Sequence, residues 1–253
     1  MAREDIKPVA VFTTRLEYNA PVREWCIDSG LVPVFCNLNT KQIIEILGNL
    51  DIPLETLVCV SYPKLISAEI RTMFNTSCIN LHTSCLPQYR GPDPIRRAVL
   101  AGESSIGITI HEMEDRFDSG DIIAQDTISI MTCKDLGEII DSISKRAPEI
   151  LISTLRSLPN LLRKKQKQNE AEASYAHTCT ESDRIVRHDT TSCEIYLMLK
   201  AFRPFHDLIF ITDRGSVSTS DIMFEPPSDT SEYIEFLLAD SQCWIRPQPI
   251  ISP

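Results

Sequence analysis

The stretch INLHTSCLP, residues 79–87, runs from an apolar segment into an asparagine, a histidine and a closing proline. Residues 78–81 read as a strand, and Leu86 with Pro87 turns the chain directly after it. Asn80 and His82 stand two apart on that strand, so their side chains leave the same face. Strand-like segments flank it at residues 9–13, 32–36 and 57–61, and again at 107–110 and 122–130. Between and after them the pattern predicts helices over 21–29, 40–48, 67–74, 95–101 and 136–158, the last carrying Pro148 as a candidate kink. Alternation of this kind builds an α/β fold, a parallel sheet with crossover helices. In open sheets of that class ligands gather beyond the carboxyl ends of the strands, which is where Asn80 and His82 fall.

The chain has 253 residues, room for one α/β domain and a small appendage. The expected organisation is a catalytic domain over 1–160, a linker over 161–174 and a small α+β appendage over 175–253. The linker is marked by RKKQKQNEAEA, residues 163–173, whose basic cluster of Arg163, Lys164, Lys165 and Lys167 reads as a solvated face rather than a phosphate site. The appendage carries a helix over 193–202 and strands over 208–212 and 233–238. A net charge of −10 argues against a broad nucleic-acid surface. No apolar run approaches the roughly 18 residues needed to span a bilayer. The first residues, MAREDIK, mix acids and lysine with no apolar segment behind them, so a cytoplasmic protein without a secretory signal or membrane partner is expected. The nine cysteines are scattered without a C-x-x-C pair and read as reduced, packed thiols, and no spacing suggests a metal.

Taken alone, Asn80 and His82 fit a strand end whose polar groups satisfy loop backbone better than they fit a site. A second feature alters that balance: MEDRFDSGDII, residues 113–123, sets four acids and a tight Asp118-Ser119-Gly120 turn before an apolar strand. Taken alone it too reads better as an acidic turn whose aspartates cap backbone amides. At one sheet edge, an asparagine to stabilise an oxyanion, a histidine to move protons and an aspartate to orient it make a plausible catalytic set. His111 ends a strand close by and either lines the site or packs. Tyr89 and Arg90, beside the first motif, are candidate contacts for the acceptor substrate.

The run INLHTSCLPQYRGPDPIRRAVLAGESSIGITIHEMEDRFDSGDIIAQDTISI, residues 79–130, resembles the folate-dependent formyltransferases: methionyl-tRNA, glycinamide ribonucleotide and nucleotide-sugar N-formyltransferases. Their pattern, N-x-H-x-S-x-L-P-x-x-x-G followed by a D-x-G turn, is met by Asn80, His82, Ser84, Leu86, Pro87, Gly91, Asp118 and Gly120. The resemblance extends weakly to about residues 8–210. It implies a Rossmann-like parallel sheet, and transfer of a formyl group from 10-formyltetrahydrofolate, the formyl donor and co-substrate, to a primary amine. It implies that Asn80, His82 and Asp118 are catalytic. By position, it places Lys64, Ile66, Glu114, Asp115, Arg116 and Phe117 at the folate. For the acceptor, a nucleotide-linked amino sugar comes first, an amino acid or peptide-precursor amine next, and methionyl-tRNA third. A formyltetrahydrofolate hydrolase and a catalytically weak folate-binding scaffold stay open as other readings.

Two departures from the family pattern carry expectations. The strand and helix that usually precede the segment matching 9–13 are missing from the pattern, which predicts an altered sheet edge, weakened acceptor binding or a homodimer partner covering the edge. The C-terminal region is acidic, with Asp221, Glu225, Asp229, Glu232, Glu235 and Asp240, where a tRNA-binding face would need positive charge.

Overall fold

Short β-branched and aromatic runs start the fold in the computed structural model, which describes residues 6–13, 34–213, 215–229 and 231–247. Strands β1 (Val11–Thr13) and β2 (Val34–Cys36) pair in parallel, with the Phe12 and Phe35 rings stacked 5.4 Å apart. The helix expected over 21–29 lies outside the described residues, as do positions 32 and 33. Helix α1 (Thr40–Gly48) begins at a capping box: the Asn39 side chain accepts from the Gln42 amide at 3.1 Å, and the Gln42 side chain accepts from the Asn39 amide at 3.0 Å. Its Ile43 and Leu47, one turn apart, are buried with Leu54 and Ile70.

Strand β3 (Thr56–Val60) leads to the single-turn helix α2 (Ala68–Arg71), capped by the Ser67 hydroxyl, which buries Ile70. The expected helix over 67–74 is thus shorter. Met73 and Phe74 close a tighter turn, and the Asn75 amide is already donating to Leu54 as the chain enters the sheet. Strand β4 (Ser77–His82) lies parallel to β3, from Thr56 opposite Ser77 to Val60 opposite Leu81. Helix α3 (Pro94–Leu100) follows, then β5 (Ser105–Glu112) and β6 (Ile122–Ser129), in the sheet order β3-β4-β5-β6. The expected parallel pairing holds at β1–β2 and β3–β4, whereas β5 runs antiparallel to β4. The reason is connectivity: the segment carrying α3 re-enters the sheet at the end where β4 left it, so no crossover is made.

Helix α4 (Leu136–Arg156) accommodates Pro148 in its interior and stops two residues earlier than its periodicity suggests. Pro159, in the first turn of α5 (Leu158–Leu162), lacks the N–H that a continuous helix would need there. The polar run after it is held in place rather than fully solvated. Gln166 exchanges backbone hydrogen bonds of 2.8 and 2.9 Å with Ile122, and the Lys165 ammonium pairs with Glu112 and, at 3.4 Å, with Asp121.

The chain divides into two compact units interleaved in sequence: Met1–His82 with Thr109–Asp126 and Ala147–Glu172, and Thr83–Ile108 with Thr127–Arg146 and Ala173–Pro253. The border expected near residue 160 falls inside the first unit's last segment. In the second unit, β7 (Ile185–Val186), helix α6 (Ser192–Phe202), β8 (Leu208–Thr212) and β9 (Gly215–Thr219) give a three-stranded sheet of order β7-β8-β9. A further sheet joins β10 (Ile222–Met223), β11 (Ile234–Leu237) and β12 (Gln242–Ile245) in the order β10-β12-β11. Phe210 and Phe236 are buried edge to face at 5.1 Å, and α6 packs on α3. The buried Lys200 ammonium donates to the Ile130 carbonyl at 2.7 Å. Among the described residues no helix is long and apolar enough to cross a membrane.

Candidate active site

Strand register assembles the polar cluster. Cys59 on β3, Asn80 on β4 and His111 on β5 are cross-strand partners and so form one row across the sheet, with His82 two residues further along β4. Asp118 enters from the turn after β5, in a left-handed backbone conformation at φ 55°. Its Oδ1 lies 3.3 Å from Asn80 Nδ2, 3.6 Å from His82 Nδ1 and 3.5 Å from His111 Nε2. His82, His111 and Asp118 are all buried, and Asn80 is partly so.

One tautomer satisfies these distances. The Glu112 carbonyl can only accept, so the His111 Nδ1–H donates to it at 2.7 Å. In neutral His111, Nε2 is then the acceptor, and the Asn80 amide donates to it at 3.1 Å while also donating to Asp118. Both N–H groups of Asn80 are therefore engaged and its plane is fixed. The two imidazoles meet edge to face at 6.4 Å.

The Asp118 turn is braced from three sides. Gln168 Nε2 donates to the Asp118 carbonyl at 2.8 Å and to the Gly120 carbonyl at 2.7 Å. Ser119 Oγ donates to the Arg116 carbonyl at 3.1 Å. Gly120 packs so closely on β5 that a Cβ there would sit 2.0 Å from the Glu112 carbonyl oxygen, which only glycine avoids. Burial pushes the Cys59 thiol up to about 11, and the Asp118 charge adds to the rise.

The residues expected at the folate occupy two segments of the same unit. Lys64 is exposed and Ile66 half-buried against the α1 core, while Glu114, Asp115, Arg116 and Phe117 are exposed in the loop before Asp118. Arg116 faces Glu170 at 3.7 Å. Val60, Leu65 and Phe117 are large apolar side chains left open to solvent here. The two candidates for the acceptor belong to the second unit. The Tyr89 hydroxyl donates to Glu103 at 2.9 Å, and burial together with that carboxylate pushes the phenol up to about 12. Arg90 is fully buried, and its backbone pairs with Ser174 and Ala176.

The structure thus brings Asn80, His82 and Asp118 together and adds His111. Two further residues were not singled out from sequence. Gln168 sits in a polar run whose composition signals a linker. Arg71, at the end of α2, donates to the Ile66 carbonyl at 2.7 Å and the Glu114 carbonyl at 2.9 Å, and its guanidinium pairs with Asp115. No local pattern marks either.

Comparison with known proteins bears on this arrangement. Residues 37–155 match the formyl transferase family. The methionyl-tRNA formyltransferase of Synechocystis is 31% identical over 186 residues, covering 73% of this chain and 56% of that protein. The chain therefore spans little more than half the length of that relative. HypX from Aquifex aeolicus, solved in complex with tetrahydrofolic acid, superposes with a TM-score of 0.64 at 17% identity, over 94% of this chain and 43% of that one. A sugar N-formyltransferase from a Shewanella species gives 0.58 at 17% identity, over 83% of this chain and 95% of that one. At such identities the two structures establish likeness of fold. Through residues 37–155, which hold Asn80, His82 and Asp118, the chain belongs to the formyl transferase family.

Proposed function

We propose that this protein moves a formyl group from 10-formyltetrahydrofolate to a primary amine, and that the amine is carried by a nucleotide-linked sugar. The observation that carries the reaction is the convergence of Asn80, His82 and His111 on one Asp118 oxygen, all within 3.6 Å. A neutral amine attacks the formyl carbon, and the resulting oxyanion collapses to expel the folate nitrogen. The amine loses one proton and the folate nitrogen gains one. Asn80 keeps one N–H on Asp118 and shares the other, held by His111 in this structure, with the oxyanion, where one donor is worth roughly 2.7–4 kcal/mol. His82, oriented through Nδ1 by Asp118, moves the proton. No serine or cysteine nucleophile enters. Burial and the Asp118 charge hold Cys59 in the neutral thiol form, unsuited to attack.

For the donor, the exposed apolar side chains Leu65 and Phe117 lie on the two segments that would face the pterin ring, and such a flat ring would cover them. A sugar acceptor is favoured by the net charge of −10, which disfavours a polyanionic tRNA. Methionyl-tRNA is the second reading, and the Synechocystis similarity at 31% identity is what favours it. A cytoplasmic location accords with a folate co-substrate.

Purified protein incubated with 10-formyltetrahydrofolate and a panel of nucleotide amino sugars, amino acids and methionyl-tRNA is expected to yield one acceptor heavier by a single formyl group in the mass spectrum. Product must vanish with His82→Ala. Formate release without a formylated acceptor would replace the reading by a hydrolase, and folate binding without turnover by a scaffold.

A further inference from the structure

Arg71 stands outside the catalytic cluster and has no role in the reaction described above, yet it makes an unusual set of bonds. Its guanidinium donates through one nitrogen to the carbonyls of Ile66 (2.7 Å) and Glu114 (2.9 Å), and through the other it pairs with Asp115. The arginine side chain is only 14% exposed, while its Asp115 partner is 86% exposed. A surface ion pair contributes little, but a mostly buried guanidinium satisfied by two main-chain carbonyls is a fixed strut. The strut joins two loops: the one after β3 that carries Lys64, Leu65 and Ile66, and the one after β5 that carries Glu114 to Phe117.

We propose that Arg71 is a positioning residue for the formyl donor, setting the separation of the two loops that hold its ring system. This rests on the folate reading of the site. Three features carry it. The arginine bonds main-chain atoms of both loops, so its loss releases their spacing and not merely a side chain. Leu65, next to Ile66, and Phe117, two residues beyond Asp115, remain open to solvent, as expected of walls awaiting a flat apolar ligand. The catalytic aspartate is braced independently, by Gln168 on the carbonyls of Asp118 and Gly120 and by Asn80 on its carboxylate, so Arg71 acts on donor binding and leaves the chemical step in place. The arrangement is specific to a fork: a lysine ammonium is a single centre and does not span two carbonyls and a carboxylate as a planar guanidinium does.

The test is anaerobic calorimetric titration of tetrahydrofolate into the full chain and into Arg71→Met and Arg71→Lys, with thermal unfolding of each as a folding control. Loss of two charge-assisted bonds predicts affinity weaker by roughly tenfold or more for Arg71→Met, with Arg71→Lys in between. With the acceptor found in the formylation panel, KM for the donor rises by the same factor while kcat stays within about threefold, a split that general destabilisation does not produce. Hydrogen exchange is expected to quicken in both loops together. Wild-type affinity in folded Arg71→Met overturns the inference, and should that variant fail to fold, wild-type affinity in Arg71→Lys does so. If the wild-type chain itself binds no tetrahydrofolate, the folate reading fails instead, and the inference falls with it.

Discussion

Asp118 and Asp183 are the same residue in opposite circumstances. Asp183, in the second unit, meets a permanent cation: Arg97 donates to its two oxygens at 2.6 and 3.2 Å, and Thr180 donates from its amide at 2.7 Å. Burial alone would push its carboxyl up, but the Arg97 hydrogen bond, the Thr180 amide and the guanidinium charge together hold it below the usual aspartate range. Asp118 in the first unit faces an amide and two imidazoles, none of them a permanent cation. A carboxylate matched to a fixed charge is structural. One matched to groups that exchange protons is equipped for chemistry.

The sharpest way to break this comparison is to remove both charges in turn. Asp118→Asn is expected to lower formyl transfer by about 10²–10⁴-fold with the fold retained, and Asp183→Asn to leave transfer within about threefold. Equal losses in a product assay would erase the distinction. Next in size, Gly120→Ala places a Cβ 2.0 Å from the Glu112 carbonyl oxygen, an overlap with backbone that no rotamer relieves. It should cost about 1–3 kcal/mol, read as a fall in Tm of about 5 °C, with transfer impaired as the Asp118 turn shifts.

A smaller effect separates the aspartates by pH. Because the folded Asp183 carboxyl lies below its unfolded value of about 3.9, its contribution is present above that value and lost as pH falls through the folded one. The stability difference between wild type and Asp183→Asn, about 1 kcal/mol at pH 7 for a pair this near the surface, should therefore shrink in denaturant titrations as the medium is acidified below the unfolded carboxyl value. The faintest signal is a thiol. Cys59 titrates at about 11 mainly because it is buried and only secondarily because of the Asp118 charge. Asp118→Asn should consequently speed its alkylation at pH 8.5 by a few-fold at most. No change would mean that the Asp118 charge does not reach the β3 row.

Which parts were legible follows from where each signal resides. Helix α1 and strand β8 start and stop where the pattern puts them, at Thr40–Gly48 and Leu208–Thr212, because an Asn39–Gln42 capping box and a β-branched run are local signals. Strand parity puts Asn80 and His82 on one face and the turn residues mark Asp118, but assigning all three to one site needs the family motif, since nothing local links a turn to a strand so far behind it. The antiparallel return of β5 and the partnership of His111 with Asn80 are properties of strand order and register, which residue pattern does not encode. Gln168 and Arg71 were invisible for a related reason. Each acts on main-chain carbonyls remote in sequence, and a carbonyl leaves no trace in residue identity.

The pairing of Asn80 with His111 across β4 and β5 has a bearing on how the molecule can be followed as it forms. Slippage of β5 by one residue would turn His111 to the opposite face of the sheet and carry the Asp118 turn with it. A misaligned chain could keep its strands, helices and much of its burial, and spectroscopy of secondary structure would score it as native. On the proposed reading it would lack the side-chain cluster that carries the reaction. Recovery of formyl transfer during refolding is therefore a clock for strand alignment itself, and the lag between it and recovery of circular dichroism measures how long the chain spends folded but out of step.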